Sequence, residues 1–78
     1  MSKKHRVRLH RWAHGQLEVL DSYFDTASEA RHFANSIGRL KKIVVRGVEA
    51  KEFQISIKVY DELNQLTHTT TVSSNSYA

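Results

Sequence analysis

The chain has 78 residues, 40% of them hydrophobic, 26% charged and 9% aromatic; this is the composition of one small globular domain, not of a disordered, collagenous or membrane-spanning chain. It contains no cysteine, which excludes disulfides, thiolate chemistry and cysteine-ligated zinc and leaves packing alone to hold the core. A net charge of +4 and a pI of about 9.7 favour polyanions or acidic protein surfaces as partners.

That charge is lopsided. Lys3, Lys4, Arg6, Arg8 and Arg11, together with Arg39, Lys41, Lys42 and Arg46, put +9 into two short acid-free segments, while the remainder sums to −5. One side of the molecule is therefore expected to face anions. No signal-peptide pattern follows the basic N-terminal residues, and no 18 apolar residues occur in a row. A cytoplasmic protein without a membrane partner is expected.

Residues 5–24 read as a β-hairpin around His14-Gly15, because glycine takes positive φ freely and histidine tolerates it. With that turn, opposed residues have numbers summing to 29. Arg11 then meets Glu18, Leu9 meets Leu20, Val7 meets Ser22 and His5 meets Phe24 on one face; Trp12 meets Leu17, His10 meets Val19, Arg8 meets Asp21 and Arg6 meets Tyr23 on the other. Two opposite-charge pairs directly across the ladder support this register independently.

The stretch 25–29 (Asp-Thr-Ala-Ser-Glu) offers capping side chains and an early glutamate, so a helix starts there. Ala30, Phe33, Ala34 and Ile37 recur at helical spacing as one apolar stripe, while Arg31, His32, Asn35 and Ser36 point away. Gly38 is expected to stop the helix as a left-handed cap. Residues 40–48 are rich in β-branched side chains and read as a single strand, with Gly47 a bulge or bend. Residues 53–60 alternate strictly, which turns the odd positions to the core. Residues 65–73 alternate again, with Leu66 and Val72 placed inside, so that His68 and Thr70 turn inward and Thr67, Thr69 and Thr71 outward.

The expected fold is α+β, in the order ββαβββ: a small antiparallel sheet of four or five strands with one helix packed on one face. Residues 1–73 form the single domain, and 74–78 a short polar tail. In size and in its hairpin, helix, hairpin plan the chain resembles small accessory proteins of bacteria or their phages, a likeness carried by no motif.

One helix covers one face, so the composition of the other can be read off. It gathers Arg6, Arg8, His10, Trp12, Leu17, Val19 and Tyr23 from the first hairpin, with Gln54, Ser56, Lys58 and Tyr60 from the later strand. Large apolar groups beside a basic cluster mark an interaction surface. Arg6, Arg8, His10, Trp12, Tyr23, Lys58 and Tyr60 are the expected contact residues. Arginine neutralises phosphate while planar rings stack on bases, which suits single-stranded or non-specific nucleic acid. The alternative is a protein-interaction module, an adaptor or inhibitor docking on an acidic protein surface or forming a homodimer through the same face. Lys42 and Arg46 are candidate additional basic contacts, although solvated charges on an edge strand account for them equally well.

No other chemistry stands out. The five histidines lack carboxylate or thiolate partners at metal-binding spacing, and His68 reads as a hydrogen-bonded core residue. The three glycines fall where a turn, a cap and a bulge explain them, not in a phosphate loop. No nucleophile and base, and no carboxylate pair, form a catalytic motif. Neither an enzyme nor a cofactor or metal is expected.

Overall fold

The structure, a computed structural model, describes residues 4–74. Its elements are β1 (His5–Ala13), β2 (Gln16–Phe24), α1 (Ala27–Gly38), β3 (Ile43–Val45), β4 (Val48–Ala50), β5 (Phe53–Tyr60) and β6 (Leu66–Ser73). Four strands make one antiparallel sheet in the order β2-β1-β5-β6, and β3 and β4 form a separate two-stranded hairpin. The fold class is α+β, and the element order is the expected one.

The first hairpin forms because His14 and Gly15 both take positive φ, 52° and 75°, the geometry that matches the twist of the flanking strands. All nine pairs then obey the expected register, from Ala13 opposite Gln16 to His5 opposite Phe24. The helix is capped by Thr26, whose hydroxyl accepts from the Glu29 backbone N–H at 3.2 Å and donates to the Glu29 carboxylate at 3.0 Å. The first of these contacts satisfies one of the backbone donors that the first turn leaves open, and the second orients the hydroxyl that does so.

The core lies on one side of the sheet. Val7, Leu9 and Ala13 of β1 and Phe53, Ile55, Ile57 and Val59 of β5 are all buried there. Ala30 and Ala34, fully buried, let α1 approach closely, and Phe33 packs on Phe24 with ring centroids 5.3 Å apart. A second cover lies beside the helix: Ile43, Val45 and Ala50 of the β3–β4 hairpin join the same core cluster.

Four expectations are corrected. Residues 40–48 are not one strand but the front of that second hairpin, with Arg46 and Gly47 at φ 53° and 79° as its turn. Gly47 bends the chain as expected, but arginine rarely takes positive φ, so composition marks a bend there and not the two-residue turn of a hairpin. Gly38 is the last helical residue and has no positive φ; Arg39, at φ −99°, is the cap. Finally, a register shift between Val59 and Tyr60 places His68 opposite Val59 but Leu66 opposite Tyr60. The extra residue, Thr67, bonds the Val59 carbonyl through its hydroxyl at 3.2 Å, and Leu66 is thrown to the open side, where it is exposed. Thr67 accordingly borders a recess with Ala27 and Arg31 of the helix instead of facing outward.

Ser74 belongs with the sheet: its hydroxyl accepts from the Phe53 N–H at 3.2 Å. The rest of the expected tail, 75–78, lies outside the described residues.

Candidate nucleic-acid interface

The face away from the helix is built by the even residues of β1 and β5 and the odd residues of β2. The ladders set it out as four cross-sheet rows. Tyr23, Arg6, Tyr60 and Leu66 form the first, and Asp21, Arg8, Lys58 and Thr69 the second. Val19, His10, Ser56 and Thr71 follow, then Leu17, Trp12, Gln54 and Ser73. Charge is concentrated in the first two rows, while exposed apolar side chains lie at both ends, Tyr23 and Leu66 in the first row and Trp12, Leu17 and Val19 in the last two. All seven expected contact residues, Arg6, Arg8, His10, Trp12, Tyr23, Lys58 and Tyr60, share this face on three adjacent strands.

Arg6 is the most elaborately held of them. Its guanidinium carbon stands 4.4 Å from the centroid of the Tyr60 ring, a cation–π contact worth roughly 0.5–1 kcal/mol where solvent reaches it. Nη2 donates to Asn64 Oδ1 at 2.9 Å. The loop that presents Asn64 is folded by Asp61, whose carboxylate accepts from the N–H groups of Leu63 and Gln65, both at 2.9 Å. Asn64 itself takes φ 61°, a conformation asparagine tolerates. Arg6 Nε is buried and has no partner among the described residues.

Arg8 is neutralised. Nε and Nη2 donate to the two carboxylate oxygens of Asp21 at 2.8 and 2.9 Å, a bidentate clamp. The hydrogen bond, and secondarily the opposite charge, holds Asp21 below the ordinary carboxylate range and raises Arg8. Lys58, next to Arg8 across β1 and β5, has no ion-pair partner among the described residues. The face therefore keeps two uncompensated cations, Arg6 and Lys58, and a third whose charge is shared with Asp21.

In the last two rows Trp12, Leu17 and Val19 are 39%, 64% and 52% exposed and lie next to one another on the face. Trp12 also borders a shallow recess with His14, Val48 and Glu49.

Arg46 does not join this face. It sits in the turn of the second hairpin, and Nη2 donates to Glu18 Oε1 at 2.9 Å on the covered side, where Arg11 also reaches Glu18 at 3.2 Å. Lys42 is exposed immediately before β3, in the segment that folds onto the covered side. The sequence paired Arg8 with Asp21, and the structure forms that pair; what the sequence reading did not draw from it is that the clamp takes up the charge of Arg8, and it did not include Asn64 among the site residues.

Among the described residues no group of three or more His, Asp or Glu side chains is placed to hold a metal ion, and no helix is long and apolar enough to cross a membrane. No protein-family model matches the chain, and no curated protein or solved structure matches it either.

Proposed function

We propose that this protein is a small binding module that takes single-stranded nucleic acid on the open sheet face. The observation that carries the reading is the juxtaposition of three cations, Arg6, Arg8 and Lys58, with three rings, Tyr23, Tyr60 and Trp12, on one uncovered surface. Phosphate attraction to the cations supplies most of the affinity, and ring stacking adds roughly 1–3 kcal/mol per base engaged. Arg6 favours this reading further. Its buried Nε–H has no hydrogen-bond partner among the described residues, a cost that a move from the Tyr60 ring onto a phosphate oxygen relieves, leaving the ring free for a base.

The apolar side chains in the last two rows of the same face support a second reading, a protein partner that covers Trp12, Leu17 and Val19 and sets an acidic rim against Arg6 and Lys58.

Titration of labelled single-stranded DNA and RNA at two salt concentrations tests the first reading. Two phosphate contacts, from the uncompensated Arg6 and Lys58, predict a log–log salt slope of about −1.4 for a single strand. Trp12→Ala is expected to weaken binding with the far-UV spectrum unchanged. Absence of binding at low salt, or binding indifferent to salt, overturns the reading, and capture of a protein from lysate that survives nuclease treatment favours the second.

A further inference from the structure

We propose that two copies of this chain pair through the outer edge of β2, antiparallel about a twofold axis at Leu20, to make one eight-stranded sheet. The inference does not depend on the nucleic-acid reading.

Strand β2 is an edge: among the described residues its one ladder is with β1, and that ladder runs nine residues without a register shift. Ala13 and Gln16 flank a two-residue turn and exchange the first hydrogen bonds, so the even residues of β2 bond inward to β1. Leu17, Val19, Asp21 and Tyr23 consequently turn their N–H and C=O groups outward. Proteins usually blunt such an edge with proline, lysine or a bulge. The β2 sequence, QLEVLDSYF, has no proline, lysine or arginine, and exposes Leu17, Val19, Leu20 and Tyr23. The opposite edge, β6, does carry a bulge.

A second copy fits this edge because β2 complements itself. A twofold axis at Leu20 pairs all nine residues: Leu20 with its own copy, Val19 with Asp21, Glu18 with Ser22, Leu17 with Tyr23 and Gln16 with Phe24. Outward-bonding residues meet outward-bonding residues throughout, and each side chain stays on its own face. An axis at Glu18 or Asp21 sets that acid against its own copy, and an axis at Val19 leaves Tyr23 and Phe24 without strand partners. An axis between residues mismatches the hydrogen bonds. Charge does not oppose the pairing. Both acids of the strand are compensated within their own chain, Asp21 by Arg8 and Glu18 by Arg11 and Arg46.

Sedimentation velocity of the full chain over a range of concentrations, with three single variants, tests the proposal. The chain has no cysteine, so Leu20→Cys introduces one thiol, which the axis brings against its own copy at the close spacing of a non-hydrogen-bonded pair. The expected results are a concentration-dependent dimer, a covalent dimer of Leu20→Cys under mild oxidation, and loss of the dimer in Val19→Lys with the circular dichroism of the parent chain. Thr69→Cys, on the β6 edge, is expected to stay uncrosslinked. A monomer at every concentration, with Leu20→Cys crosslinking no faster than Thr69→Cys, overturns the proposal. So does a dimer that crosslinks through Thr69→Cys, or one that Val19→Lys leaves intact.

Discussion

Arg8 and Asp21 face each other across β1 and β2 and are joined by two hydrogen bonds of 2.8 and 2.9 Å. The pair places an anion in the middle of a surface otherwise basic, so Arg8 meets an incoming phosphate only in competition with its own partner. Asp21→Asn removes that competition. The variant is expected to bind single-stranded DNA more tightly, with a salt slope steeper by about 0.7, the contribution of one further phosphate contact. A slope equal to that of the parent chain would show that Arg8 already reaches phosphate, or never does.

The same clamp makes stability depend on acid pH. Asp21 is lowered by its hydrogen bond from Arg8, and Glu18 by its hydrogen bond from Arg11, with Arg46 adding to it. A carboxyl group depressed in the folded state binds its proton less readily than in the unfolded chain. Its stabilising effect is therefore complete above the ordinary carboxylate range, about pH 4, and is lost as the pH falls through the depressed folded-state value. Thermal midpoints are expected to decline below pH 4. The double variant Glu18→Gln, Asp21→Asn starts lower at neutral pH and declines less. An equally steep decline in that variant would assign the acid sensitivity to other carboxylates.

Ile57 is fully buried at the middle of β5, between the sheet core and the helix. Ile57→Ala deletes three carbons where neighbours on every side are already packed, so it is expected to cost roughly 2–5 kcal/mol. Thr69→Ala, on the open face of the outer strand β6, should stay within about 0.5 kcal/mol of the parent chain. Urea denaturation of both variants checks the contrast.

Thr26 caps the only helix among the described residues, and Glu29 completes the reciprocal contact. Thr26→Ala is expected to cost about 1 kcal/mol, and Thr26→Ser to restore most of it, because the hydroxyl and not the methyl group satisfies the Glu29 N–H. Equal losses in the two variants would point to packing of the methyl group instead.

Much of the fold was legible from neighbours in the sequence, because turns, caps and periodicity act over a few residues. His14-Gly15 set the register of nine cross-strand pairs, and with it the facing of Arg6, Arg8, His10, Trp12 and Tyr23. The stripe of Ala30, Phe33, Ala34 and Ile37 and the alternation of β5 likewise identified their buried faces. Tertiary structure alone decided that β5 lies against β1, which is what brings Tyr60 beside Arg6 and Lys58 beside Arg8. That neighbourhood is a long-range pairing, chosen by how the apolar faces close over one another and not by any local pattern. The second hairpin and the Leu66 reversal were hidden for a related reason. An arginine at positive φ and an extra residue in a ladder are conformations that surrounding contacts impose on sequences with no local preference for them.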